Sequence, residues 1–288
     1  VQWSPASNID EGFSMRAGYY STMLSHLSLP EAAKAVAEAG YTDLAINGDG
    51  IPSKFVPHMT PDMSLDHCRE LANAVRATGL SIPAMSVNFY FFVKDEAERQ
   101  RGLAHVSAMI DRAAAIGVDY IHLCSGRPTP GRSEAEMMPL FIETMDAVLR
   151  KANEKGVRVG LESAAPHMYP QCGRYLELAA ALAPMELAVN FDPSHFQAIG
   201  EDPVEAVHRL APLIRHVHIK DAKGRFPDFS FPPLGEGEVD FPKLIGALRD
   251  LGYAGALTIE YEANYFGWQI DPMTVLTSSR AFLRDLGV

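Results

Sequence analysis

The sequence is short of several features, and each shortage argues against a class of function. Only three cysteines occur, Cys68, Cys124 and Cys172, and they are widely separated. An odd number without paired spacing offers neither a disulfide framework nor a zinc ribbon, and it suits a reducing cytoplasm. No stretch approaches the ~18 uninterrupted apolar residues of a membrane-spanning helix. Val1–Ser14 lacks the basic-then-apolar layout of a secretion signal and reads as a polar leader ahead of residues 15–288. No Lys/Arg cluster interrupts the formal net charge of -11. Such an acidic surface repels a phosphate backbone, so nucleic acid is not an expected partner. The first strand pattern runs into Ser21-Thr22-Met23-Leu24-Ser25, without the glycine-rich phosphate turn that a doubly wound nucleotide-binding sheet often carries. There is no low-complexity linker, and no internal repeat beyond the strand-helix unit.

What the chain does have is alternation. With 288 residues, 47% of them hydrophobic and 21% charged, it can bury a large core. Its length is normal for one (β/α)₈ barrel, typically about 250 residues. Strand patterns fall at Arg16–Tyr20, Thr42–Ile46, Leu80–Val87, Val118–Leu123, Val157–Leu161, Glu186–Phe191, Ile214–Ile219 and Ala256–Ile259. Amphipathic stretches such as Pro30–Ala39, Leu65–Ala77, Glu96–Ile116, Glu134–Lys155 and Phe241–Leu251 lie between them. Gly40, Gly79, Gly117 and Gly252 each follow a helical pattern, where a left-handed residue stops the helix. Ser28 or Pro30, Ser133 and Asp240 stand where helices should start. Eight such units with no second compositional zone predict an α/β fold, a single (β/α)₈ TIM barrel over residues 15–288. Lys223–Val239 is the longest non-periodic loop. Its prolines and Gly235-Glu236-Gly237 forbid a regular helix. It follows the seventh strand, so it is expected at the catalytic end, as a lid or as a cover on the rim.

The ionisable residues sit where a barrel assembles its chemistry. Glu162 follows the fifth strand pattern, Asp192 the sixth, His218 lies near the end of the seventh, and Glu260 follows the eighth. Barrel enzymes build their sites at these C-terminal strand ends. Three carboxylates converging from the fifth, sixth and eighth strands repel one another unless a cation neutralises them. An oxygen-rich set with one imidazole favours Mn²⁺, Co²⁺ or Mg²⁺, with Zn²⁺ a further candidate, over a thiolate zinc site. Strand alternation turns Lys220 to the same interior side as His218. Its structural alternative is a salt bridge with Asp221 or a neighbouring carboxylate. His216 points the same way one layer deeper, in a buried hydrogen-bonded role. His122, Cys124 and Asn88 end the fourth and third strands and are candidates to line the pocket. Tyr19, Phe89, Phe266 and Trp268 are candidates for an apolar wall at the mouth or, equally, for core packing, and Glu262 for an outlying acidic group or a solvated one.

The segments Gly160-Leu161-Glu162, Asn190-Phe191-Asp192-Pro193-Ser194-His195, His216-Val217-His218-Ile219-Lys220-Asp221, Gly235-Glu236-Gly237 and Ile259-Glu260 carry a family resemblance. Together they resemble the xylose isomerase-like barrel superfamily over residues 15–288. Within it the chain is similar to the sugar (phosphate) isomerase/epimerase group, with its ketose 3-epimerases, hydroxypyruvate isomerases and inosose dehydratases. The resemblance implies metal ligands Glu162, Asp192, His218 and Glu260, and a substrate-contacting His195. Two positions depart from the epimerases. Met168, after His167, stands where a second carboxylate is expected, and Gly224, between Lys223 and Arg225, where an arginine is expected.

The expected activity is metal-dependent isomerisation or epimerisation of a ketose or keto-polyol through an enediolate, with Glu162 and Glu260 as the acid/base pair. His195, Lys220, His122 and Asn88 are the expected substrate contacts. One divalent ion, Mn²⁺ foremost, is the expected cofactor, a small sugar or polyol the partner, and a cytoplasmic homo-oligomer, dimer or tetramer, the setting. The alternative is a dehydratase of the inosose or dehydroshikimate type, because it shares the enediolate. A non-catalytic sugar-binding barrel ranks below both. The superfamily's endonuclease IV-type repair enzymes need extra histidines that Pro83–Phe91 and Lys223–Val239 lack.

Overall fold

Eight parallel strands hydrogen-bond side by side, and the first closes the ring by pairing with both the second and the eighth. The computed structural model describes residues 14–51, 55–89, 95–165, 167, 170–261 and 270–288. Leader residues 1–13, Met168, Glu262, Phe266 and Trp268 lie outside them. The strands are Arg16–Tyr20, Asp43–Asn47, Met85–Ser86, Tyr120–Cys124, Arg158–Glu162, Ala188–Phe191, Ile214–Ile219 and Ala256–Ile259. Their order around the ring follows the chain, and helices run between them, which makes the fold a (β/α)₈ TIM barrel. Among the described residues, no helix is long and apolar enough to cross a membrane.

Local chemistry explains most boundaries. Ser28 and Ser133 form reciprocal capping boxes with Glu31 and Glu136, and the Asp240 side chain accepts from the Lys243 backbone N–H. At the helix ends, Gly40, Gly79, Gly117 and Gly252 all adopt positive φ, from 70° to 90°. The third strand is the main departure. Its apolar run spans Leu80–Val87, yet only Met85–Ser86 form a ladder, with an isolated bridge between Asp43 and Ser81. Pro83 lies between the two pieces and has no N–H to give to a neighbouring strand.

Two cores result from strand alternation. Outward-facing Leu44, Ile46, Leu161, Phe191, Val217 and Ile219 are buried with helix residues such as Val36, Val75 and Ile110 in one large layer. Burying each such side chain stabilises the fold by about 1.5–3 kcal/mol relative to exposure. Inside the ring, small residues alternate with a few large ones. Tyr20, Ala45, Ala84, Tyr120 and Ala188 form a separate cluster. Gly160 belongs here because a methyl group on it would overlap the Tyr120 hydroxyl. Barrel interiors are usually filled by bulky branched residues. Here the small ones leave room for Tyr120, His122 and His216, all buried.

Tyr19 does not reach the mouth. It faces the outer layer, fully buried, with its ring edge-on to Tyr41 at 5.3 Å. Phe89 likewise packs beside His105 and over Gly102 of the helix Glu96–Ala115. The side-chain period of two accounts for Tyr19: its neighbour Tyr20, not Tyr19, belongs to the inner cluster.

The loop after the seventh strand is anchored rather than loose. It holds a short antiparallel hairpin, Lys223–Arg225 with Asp228–Ser230, and Gly224 takes a φ of 84° within it. The buried Asp221 carboxylate accepts backbone N–H groups from Ala222, Gly235 and Gly237 at 2.9 Å, and from Val239 at 3.2 Å. Both ends of the loop therefore close on one side chain.

The inner layer gives a test. Gly160→Ala is expected to lower stability by about 1–3 kcal/mol in urea denaturation, and adding Tyr120→Phe should recover part of it. An unchanged midpoint for Gly160→Ala would show that the Tyr120 ring moves freely.

Candidate metal centre

Each acidic side chain is aimed by the element that carries it. Glu162 is the last residue of the fifth strand, and Asn190 lies opposite it in the neighbouring register, donating its amide to Glu162 Oε2 at 3.1 Å. Asp192 caps the helix Pro193–Ile199, with Oδ1 accepting from the Ser194 backbone N–H and hydroxyl. That leaves Oδ2 to face Lys220 Nζ at 2.9 Å. His218 points inward from the seventh strand. Glu260 follows the eighth, and its backbone N–H donates to the Ile219 carbonyl.

The four meet. One ligand atom from each of Glu162, Asp192, His218 and Glu260 lies within 4.8 Å of every other. His218 Nδ1 stands 3.3 Å from Glu162 Oε1 and 3.3 Å from Glu260 Oε2. Asp192 and His218 are fully buried, and the Glu260 side chain is only 12% exposed. Asn190, two residues before Asp192, was not among the sequence candidates. The alternation that picks out Lys220 would have found it.

The electrostatics favour a cation. Burial alone would push the His218 pKa down, but the Glu162 and Glu260 carboxylates beside it raise it to about 10. Burial pushes both glutamates up, and nearby charges and hydrogen bonds overcome it. His218, His122 and Lys220 hold Glu162 well below the usual range, while Lys220 and His218 bring Glu260 to about 2. Three carboxylates with one lysine leave two negative charges beside a neutral imidazole. A divalent ion on hard oxygen donors and one nitrogen fits both that balance and the spacing.

Lys220 pairs with Asp192 and with Glu260, at 2.9 and 2.7 Å, not with Asp221, whose carboxylate is taken up by loop backbone. Its Nζ is also 3.2 Å from His195 Nε2. The Ala165 backbone N–H donates to His195 Nδ1 at 3.2 Å. Burial and the Lys220 charge lower the His195 pKa to about 4, so the ring is neutral near pH 7. Phe231 from the anchored loop meets His195 edge-on at 5.0 Å and lies 4.6 Å from Lys220 Nζ. His195 and Lys220 therefore belong to the same buried group as the four ligand candidates.

The remaining candidates occupy other positions. His122 is 1% exposed and its Nδ1 lies 3.6 Å from Glu162 Oε2, so it sits beside a ligand candidate. His216 stacks on it at 6.1 Å and is itself buried, and its Nε2 has no hydrogen-bond partner among the described residues. The Cys124 Sγ lies 4.0 Å from Glu162 Oε2. The Asn88 amide is engaged with protein. Its Nδ2 donates to Asp49 and Ser86, and its Oδ1 accepts from the Cys124 backbone N–H.

A family model described as xylose isomerase-like TIM barrel matches residues 33–286. The chain belongs to that family. A putative L-ribulose-5-phosphate 3-epimerase, SgbU, of Escherichia coli strain K12 is 24% identical over 250 residues, which is 84% of this chain and 86% of that protein. An inosose isomerase of Halalkalibacterium halodurans is 22% identical, over 71% of this chain and 74% of the relative. Among solved structures, the 3-keto-D-glucoside 4-epimerase YcjR of E. coli superposes with a TM-score of 0.77 at 19% identity, covering 94% of this chain and 100% of that one. The xylose isomerase-like barrel thus shares its overall path with a protein of quite different sequence.

Metal uptake should reveal the proton on His218. Below its pKa of about 10, a cation that takes His218 as a ligand must displace that proton. Calorimetry in buffers of different ionisation enthalpy is expected to show about one proton released, and Mn²⁺ affinity to rise roughly ten-fold per pH unit through neutrality. Affinity independent of pH there would remove His218 from the ligand set.

Proposed function

We propose that this protein is a divalent-metal-dependent sugar isomerase or epimerase acting through an enediolate on a ketose or related keto-polyol. The observation that carries the reading is that Glu162 and Glu260 each bring a carboxylate oxygen within 3.3 Å of His218 Nδ1. They come from the fifth and eighth strands, so their carboxylates reach one point from different directions. The epimerase and isomerase names of the relatives support the same chemistry.

Glu162, Asp192, His218 and Glu260 would hold the ion, with Mn²⁺ favoured by the hard donor set. When bound, a divalent ion supplies a Lewis acid that polarises a carbonyl and stabilises enediolate charge. The protein's own groups do the rest. One glutamate removes the proton next to the carbonyl and the other returns one, on opposite faces for epimerisation. Donors at 3.1 Å from Asn190 and 2.7 Å from Lys220 hold the two carboxylates in position. The Lys220 ammonium and neutral His195 bind and orient substrate oxygens, and Phe231 shields that pair from water.

The decisive experiment uses Mn²⁺-loaded protein and a panel of ketoses in D₂O. One carbon-bound hydrogen should exchange in the accepted sugar. Glu162→Gln and Glu260→Gln should each lower exchange by about 10²–10⁴-fold. Metal content measured on both variants separates lost ligation from lost proton transfer. Full activity in both variants would sink the assignment. A product lighter by one water would make the protein a dehydratase instead.

A further inference from the structure

The half of the barrel mouth across from the metal centre is also built from polar groups. In the ring the second and third strands stand opposite the sixth and seventh. Asp49 lies two residues past the second strand, and Asn88 two past the third. Asp49 Oδ1 accepts from the Asn88 backbone N–H at 2.8 Å and from the Ser86 hydroxyl. Its Oδ2 accepts from Asn88 Nδ2 at 3.2 Å and from the Tyr20 hydroxyl at 3.4 Å. The Cys124 backbone N–H holds Asn88 in turn, at 2.7 Å. Tyr20 links this arrangement to the centre, because its ring stacks on His218 with centroids 5.8 Å apart.

Three properties of Asp49 point to a ligand. It is part-buried at the C-terminal side of the second strand, not sealed in either core cluster. All four of its hydrogen bonds are accepted from donors, Tyr20, Ser86 and the Asn88 backbone and side chain, the pattern of an acceptor. And the Tyr20 contact is longer than the about 2.5–3.0 Å of a good hydroxyl bond, so Oδ2 keeps acceptor capacity. Among the described residues no Lys or Arg forms an ion pair with it.

We propose that Asp49 receives the part of the substrate that extends away from the metal centre, and selects an uncharged hydroxylated end over a phosphorylated one. This rests on the sugar chemistry proposed above. A ketose held through its carbonyl end beside Glu162 and Glu260 must run its other carbons across the mouth. A hydroxyl arriving there donates to Asp49 Oδ2. A phosphate brings lone pairs and negative charge to a group that can only accept, and such like-charge contact disfavours the wrong partner.

The test is binding, which does not need turnover. Full-length Mn²⁺-loaded protein is titrated by calorimetry with D-fructose against D-fructose 6-phosphate, and with D-ribulose against D-ribulose 5-phosphate. A neutral member is expected to bind, and its phosphate to bind roughly ten-fold or more weakly. In Asp49→Asn that ratio should shrink while the melting temperature stays close to that of the parent. Equal or tighter binding of the phosphates overturns the proposal, as does an unchanged ratio in Asp49→Asn or failure of both neutral sugars to bind. The parent comparison stands even if the variant folds poorly. Discrimination at Asp49 without solvent-hydrogen exchange in the bound sugar would count against the isomerase reading alone.

Discussion

Three carboxylates brought together out of water are the constraint around which the site is organised. Glu162, Asp192 and Glu260 converge on His218 within 4.8 Å. Unbalanced, such a cluster would force protons onto its members or push the strand ends apart. The protein answers with groups of fixed position. Lys220 bridges Asp192 and Glu260, Ser194 binds the far oxygen of Asp192, and Asn190 donates to Glu162. The balance is still two charges short with a neutral imidazole, so the group suits a divalent ion.

That demand explains features further away. The inner layer is made of alanine and glycine with Tyr120, His122 and His216, where a barrel without such a site would favour branched aliphatics. Stability comes instead from the outer layer between strands and helices. Above the site, the loop after the seventh strand is tied at both ends to Asp221, and it places Phe231 against His195 and Lys220. The wall over the polar pair is thus held by a buried carboxylate at both ends of its loop.

The two halves of the mouth divide the work. The fifth to eighth strands carry the ligand candidates and the proposed proton carriers. The first to fourth carry a hydrogen-bonded frame, from Tyr20 through Asp49 and Asn88 to the Cys124 backbone. Fold likeness to sugar epimerases at low identity says nothing of which sugar enters, because the barrel tolerates loop and strand-end changes while keeping its path. The proposed role of Asp49 places substrate choice outside the shared motifs.

The sequence alone determined the eight-unit alternation, the helix caps at Ser28, Ser133 and Asp240, the glycine stops, and the four strand-end residues that converge. These depend on neighbours close in the chain or on the strand period, so local pattern suffices. Only the tertiary structure decided the rest. It shortened the third strand around Pro83, turned Tyr19 outward and Tyr20 inward, and gave Asp221 to the loop backbone rather than to Lys220. It also brought in Asn190 and Asp49. Each of these outcomes depends on which groups meet across the ring, at separations of tens of residues, where competition for a partner is settled by geometry and burial. The metal-ligand candidates were legible because like charges at successive strand ends are conspicuous; the frame facing them was not, because its residues become a unit only when the barrel closes.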